Sequence, residues 1–368
     1  MISNRLKRRV FLASLAVVSL GFAACQSTTS EAPSATGGSP ATSGAAGGTV
    51  ASASLNGAGA TFPAPVYQRW FAEYNKVQPG VQVSYQSVGS GAGVEQYLAG
   101  TVDFGASDEP LKDDEIAQFK TKYGADPIQV PMTAGSVVFA YNLPTVKDLK
   151  LSREAYCGIA TGEITNWNDP TIAAANPGTT LPDRPISFVY RSDGSGTTAV
   201  FTTHLDAACP NWKAGGAKTV EWSVGTGAKG NEGVTAQVQQ AEGSVGYVEY
   251  AYAKENGISM AAIENKSGAI IVPSPEAGAL AFDGEEIPAD LALKVPDSAN
   301  PGAYPITSLT WLLVYPTYQD AAKKEALTSV IDWALTDGTQ YSNELGYIPL
   351  PAGVKGKVTE AVTKIQVK

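Results

Sequence analysis

The stretch Ile186-Ser187-Phe188-Val189-Tyr190-Arg191-Ser192-Asp193-Gly194-Ser195-Gly196-Thr197 holds three kinds of structure in succession. An apolar-rich, strand-like run ends at Tyr190, glycines then turn the chain, and helical spacing resumes through Val200 and Leu205. Strand, glycine-rich turn and helix form the repeating unit of α/β domains. Outward from it, the arrangement recurs twice. Val81 to Tyr85 alternates, Gly89-Ser90-Gly91-Ala92-Gly93 follows, and Val94, Tyr97 and Leu98 keep helical spacing. Gly57-Ala58-Gly59-Ala60-Thr61-Phe62-Pro63 precedes a helix marked by Val66, Trp70 and Tyr74, whose first turn tolerates Pro63 or Pro65. Val137 to Tyr141 is a further apolar run, and Leu327, Val330, Ile331 and Ala334 mark a late helix with Gly338 as its stop. An α/β fold with mainly parallel pairing is expected from Leu55 onward, with no fixed-period repeat.

The N-terminal end is of another kind. Arg5, Lys7, Arg8 and Arg9 precede an apolar run from Val10 to Ala24, with no acid, and Cys25 follows. This is the pattern of an export signal over residues 1–24, its apolar run of about 15 residues being short for a membrane-spanning helix. Phe22-Ala23-Ala24-Cys25 resembles a bacterial lipobox, with Phe22 where Leu is usual, which predicts a lipid on Cys25. Arg8-Arg9-Val10-Phe11-Leu12 resembles a twin-arginine signal, so the export route stays open. The segment after Cys25 is almost wholly Ser, Thr, Ala, Gly and Pro, and 25–53 reads as a flexible linker with a reach of roughly 30 Å.

The chain has 368 residues and a formal net charge of −9. Loss of the four basic residues of the signal would take this to −13. No basic stripe is present, which excludes nucleic acid as a partner. One His and three Cys leave a zinc site short of ligands, so no metal and no cofactor are expected.

Each of the three glycine-rich turns places Ser or Thr and free backbone N–H groups at a helix N-terminus, where orphan N–H groups and the helix dipole favour an anion. Any one alone is an ordinary N-cap; three together, one carrying Arg191, point to an anion site. None matches a nucleotide-binding fingerprint. Gly225-Thr226-Gly227-Ala228-Lys229-Gly230 has the wrong spacing for phosphate and reads as a surface loop. A fourth element, Asp103-Phe104-Gly105-Ala106-Ser107-Asp108, leads a strand end to a carboxylate. Beside an anion that is reasonable only if the anion carries a proton.

Gly57 to Pro65, Asp103 to Asp108, Arg191 to Thr197 and Gly246-Tyr247-Val248-Glu249-Tyr250-Ala251-Tyr252 together resemble the PstS family, extracytoplasmic phosphate-binding proteins that feed an ATP-driven importer. The resemblance runs from about Leu55 almost to the end. It implies a two-lobed periplasmic-binding-protein fold of type II, with phosphate held in the interlobe cleft. The lobes would comprise 54–135 plus 306–368, and 136–305. The implied phosphate ligands are Thr61, Phe62, Ser90, Asp108, Arg191, Ser195, Gly196 and Thr197, with Asp193 pairing the Arg. Gly91-Ala92-Gly93 stands where relatives often show Ser-Gly-Gly. The implied partners are inorganic phosphate, permease subunits and, through Cys25, the membrane; the protein is expected to act as a monomer outside the cytoplasm.

An ionised Asp108 can only accept a hydrogen bond, so it would admit a protonated phosphate and reject sulfate. Cys157 and Cys209 fall in one expected lobe, where an oxidising compartment permits a disulfide. The rival from another class is a secreted phosphohydrolase with Ser195 as nucleophile. Its only histidine, His204, would sit roughly 13 Å along the same helix, so a non-enzymatic role is expected. A binding protein for another oxyanion is the nearer alternative.

Overall fold

The computed structural model describes residues 50–368. The expected signal over 1–24, the lipidation at Cys25 and nearly all of the linker lie outside the described residues; the first strand begins at Ala53.

Three strand–turn–helix units open the chain: β1 (Ala53–Gly59) with α1 (Ala64–Val77), β2 (Val81–Ser87) with α2 (Ser90–Ala99), and β3 (Phe104–Ser107) with α3 (Asp113–Tyr123). In α1, Val66, Tyr67, Trp70, Phe71 and Tyr74 are buried at helical spacing, and Pro65 lies in the first turn, where a missing N–H costs nothing. A single long strand follows, β4 (Ile128–Tyr141), buried at every residue after Ile128.

The middle of the chain supplies β5 (Lys150–Leu151), α4 (Arg153–Thr161), α5 (Pro170–Ala175), β6 (Ser187–Arg191), α6 (Gly196–Ala208), β7 (Thr226–Ala228), α7 (Gly230–Gln240), β8 (Ser244–Glu249) and α8 (Tyr250–Glu255). After the short strands β9 (Ser259–Met260), β10 (Ala262–Glu264) and β11 (Ile270–Ile271) and the helix α9 (Pro275–Ala279), the chain re-enters the sheet. It does so as β12 (Thr307–Val314), and ends with β13 (Thr317–Tyr318), α10 (Ala321–Leu335), α11 (Thr339–Leu345), α12 (Ala352–Thr363) and β14 (Gln366–Val367).

The main sheet has the order β2-β1-β3-β12-β4-β8-β6-β7, with β9 also on β4. Parallel pairs lie toward both ends: β1 with β2 and β3, β6 with β7 and β8. The centre is antiparallel, which corrects the expectation of mainly parallel pairing. The physical reason is β4: a strand buried on both faces shows no alternation, so its apolar run does not encode the direction of its neighbours. Thr307–Val314 pairs with Ile128–Ser136 of β4, whereas β8 pairs with Val137–Tyr141. One strand thus serves two sets of neighbours.

Two local expectations also change. Thr226 to Ala228 is no surface loop but an edge strand, in parallel register with Val189 to Arg191, and Gly230 opens α7. Gly225 and Gly230, at φ 95° and 72°, turn the chain on either side. Gly338 does not stop α10, which is capped at Thr336; with φ −68° it begins the turn into α11. Cys157 in α4 and Cys209 at the C-terminus of α6 are joined in a disulfide, their Cα atoms 5.6 Å apart. Among the described residues no helix is long and apolar enough to cross a membrane.

Candidate functional site

Each strand–turn–helix unit delivers its turn to one place. Thr61, Phe62, Ser90, Asp108, Arg191, Ser195 and Thr197 are all buried, and Gly196 with them. The first turn of α2 leans on the turn before α6: the Gly91 N–H donates to the Gly194 carbonyl at 2.8 Å. At Gly89, φ is 96°, and a Cβ there would strike the Asp193 carboxylate, so only glycine serves. Gly196 sits against Ser90 Oγ and the Asp108 side chain, with no room for a Cβ between them.

Asp108, immediately after β3, is held on both carboxylate oxygens. Thr310 of β12 donates to Oδ1 at 2.8 Å; Ser90 Oγ donates to Oδ2 at 3.4 Å and accepts the Asp108 N–H at 3.3 Å. Burial nevertheless pushes its pKa up to about 7, against the lowering effect of Thr310, Arg191 and Ser90. The carboxyl is thus poised near neutrality.

Arg191, at the end of β6, is buried and forked onto Asp193. Its Nε reaches Oδ1 at 2.8 Å and its Nη2 reaches Oδ2 at 2.6 Å, while Nη1 donates to Thr197 Oγ1 at 3.3 Å. Burial works against ionisation of Asp193, but Arg191 and the Gly230 N–H, which donates at 3.1 Å, hold its pKa below the usual carboxylate range. The pair is electrically balanced, so the net charge of the site depends on whether Asp108 is ionised. An anion entering beside an ionised Asp108 would make two buried negative charges; one shared proton removes the conflict.

Ser195 caps α6, its Oγ accepting the Thr198 N–H at 3.0 Å, and the Ser195 N–H is spent on the Lys218 carbonyl at 2.9 Å. His204 lies farther along α6. Its Nε2 is 3.1 Å from the Tyr156 hydroxyl and its Nδ1 is 2.8 Å from the Pro296 carbonyl. Burial lowers its pKa to about 4, so it is neutral, with Nδ1 as donor and Nε2 as acceptor. Both ring nitrogens are committed away from Ser195. Among the described residues no group of His, Cys, Asp and Glu is arranged to hold a metal.

Three residues outside the sequence-based set belong to this place. Asn231 of α7 donates from Nδ2 to Thr61 Oγ1 at 2.7 Å and to Thr197 Oγ1 at 3.0 Å. Thr310 orients Asp108, and Glu249, fully buried, caps α8 through the Ala251 N–H at 2.9 Å. Asn231 directly follows the segment read as a loop; a turn with glycine at both ends before helical spacing was its only local signal. The backbone carbonyls of Thr61 and Phe62 are fixed by the hydroxyls of Tyr252 at 2.6 Å and Tyr347 at 2.7 Å.

The family model described as a PBP superfamily domain matches residues 34–338. A phosphate-binding protein PstS of Pasteurella multocida is 40% identical over 326 residues, covering 87% of this chain and 92% of the relative. One from Methanocaldococcus jannaschii is 36% identical over 333 residues, covering 84% and 85%. The solved structure of a phosphate-binding protein from Stenotrophomonas maltophilia superposes with a TM-score of 0.66 at 22% identity, over 84% of this chain and 93% of that one. The architecture is therefore the α/β periplasmic-binding-protein fold. On sequence similarity across most of both chains, this protein belongs to the PstS family.

Proposed function

We propose that this chain binds inorganic phosphate outside the cytoplasmic membrane and delivers it to the permease subunits of an ATP-driven phosphate importer, as a binding protein and not an enzyme. The observation that carries the reading is the pairing of one buried acceptor, Asp108, with helix N-termini and hydroxyls that otherwise donate. Thr61, Ser90, Ser195 and Thr197 supply hydroxyls, and Phe62, Gly196 and Thr197 supply backbone N–H groups. Arg191 supplies the charge. Each hydrogen bond to a charged group contributes about 1.5–3 kcal/mol, so a set of them offsets dehydration of the anion. Because Asp193 balances Arg191, most of the binding falls to neutral donors.

Asp108 then selects. A phosphate with one proton donates it to the carboxylate; a fully ionised sulfate has none to give and leaves a buried acceptor unpaired. The ligand lies between two lobes, 54–135 plus 306–368 and 136–305, that meet where β4 changes partners. Lobe I bears Thr61, Ser90 and Asp108, and lobe II bears Arg191 to Thr197. A lipid on Cys25 and the linker behind it tether the body to the membrane after export.

Equilibrium dialysis against labelled phosphate tests the reading. Saturation at one phosphate per chain is expected, with no release of product from a chromogenic phosphate ester. Absence of phosphate binding, or ester turnover at Ser195, would overturn it.

A further inference from the structure

The amide of Asn231 is pinned by its own oxygen. Oδ1 accepts the backbone N–H of Glu249 at 2.9 Å, which turns Nδ2 toward Thr61 and Thr197 and settles which end of the amide faces them. Asn231 is fully buried, so no water competes for these positions. Thr61 Oγ1 then accepts twice, from Asn231 Nδ2 at 2.7 Å and from the Asn231 backbone N–H at 3.1 Å. Thr197 Oγ1 also accepts twice, from Asn231 Nδ2 at 3.0 Å and from Arg191 Nη1 at 3.3 Å. Neither an amide NH₂ nor a guanidinium can accept. A hydroxyl has two lone pairs and one proton; with both lone pairs engaged, only the proton is left to offer.

We infer that Asn231 is a positioning residue that makes the hydroxyls of Thr61 and Thr197 obligate donors to the bound anion. The inference rests on the phosphate-binding reading and deepens it. With both hydroxyls barred from accepting, a monoprotonated phosphate cannot place its own proton on that side of the site. That turns the proton away from Thr61 and Thr197, toward the side where Asp108 is the carboxylate acceptor. Asn231 thereby orients the ligand without touching it, and it ties the turn before α1 to α6 through a single side chain.

The test is a double-mutant cycle read by phosphate titration. Asn231→Ala in the unmodified chain is expected to weaken phosphate binding roughly 10- to 100-fold, the loss of about one hydrogen bond to a charged group. In a Thr61→Val, Thr197→Val background the same substitution should change affinity by no more than about twofold. Asn231→Asp keeps the bond from the Glu249 N–H and serves the same cycle if the alanine variant fails to fold. Its carboxylate would accept from both hydroxyls and turn their protons away from the ligand. An equal loss in both backgrounds would mean that Asn231 acts only as a structural tie, and would overturn the inference. The unmodified chain is titrated first: if it does not bind phosphate, the functional reading itself has failed. If it binds and the cycle is additive, only the role of Asn231 has failed.

Discussion

In the proposed function selectivity turns on Asp108, and its pKa makes a testable statement about stability. Its folded value, about 7, lies above the ordinary carboxylate value. The folded, ligand-free protein therefore favours the neutral carboxyl. That contribution is fully present below about pH 4 and is lost as pH rises to about 7, on the order of a few kcal/mol if the site stays closed. Asp108→Asn removes the penalty: thermal melts without phosphate should show the variant more stable than the parent at pH 8, with the gap closing toward pH 4. A gap independent of pH would refute the assignment. The same substitution replaces an acceptor with a donor, so sulfate binding should strengthen while the preference for phosphate collapses by a factor of about 10² or more. At this scale the sequence was informative where chemistry is local. Arg191, Asp193 and Ser195 lie within one turn, and Asp108 directly follows a strand. Asn231 and Thr310 were not legible, because their partners Thr61 and Asp108 are 170 and 202 positions away. A side-chain amide in a helix looks the same whether it faces water or two buried hydroxyls.

Secondary-structure elements contribute through their ends. The N-termini of α2 and α6 meet across glycines that leave space for backbone and nothing else. Gly196→Ala would drive a methyl group into Ser90 Oγ and the Asp108 side chain. Calorimetry should detect loss of phosphate binding by about 10³-fold or more, since several hydrogen bonds are disturbed together, with the circular dichroism spectrum unchanged. The far end of α6 is anchored differently, by the disulfide from Cys209 to Cys157, which closes a span of 52 residues. Replacing both cysteines by alanine should lower unfolding free energy by about 2–5 kcal/mol in chemical denaturation. Phosphate affinity should be nearly unchanged, because the site lies at the opposite end of the helix. The strand–turn–helix units were legible from glycine placement and periodicity. Strand direction was not: the buried run of β4 contains no polar face to say which neighbour is parallel. Nor was β7, since a three-residue edge strand of Thr, Gly and Ala has too little apolar character to stand out from a loop.

Over the whole molecule the charge balance and the ligand oppose each other. If a chain of net charge −9 holds an anion, as proposed, the attraction must be local, from helix N-termini and Arg191, against the global field. The two proposed lobes are also joined by charge. Lys218, buried on the α6 side, lies 3.1 Å from Glu115 and 3.6 Å from Glu109, both just beyond Asp108, and Lys294 adds a 3.7 Å contact to Glu109. Removing Lys218 leaves Glu109 and Glu115 facing each other with less compensation, which penalises closure. Lys218→Met should speed phosphate release by about tenfold or more in stopped-flow measurements and expand the ligand-free scattering profile. An unchanged release rate would show that these ions do not hold the lobes. In the proposed function one singly protonated phosphate is held by protein donors alone and donates its proton in a hydrogen bond to Asp108. Competition calorimetry of the phosphate-stripped protein, with a chelator and a large excess of sulfate present, puts this arrangement to the test. One phosphate bound per chain at an affinity unaffected by either addition is expected; displacement by sulfate, or loss of binding with the chelator, would contradict it.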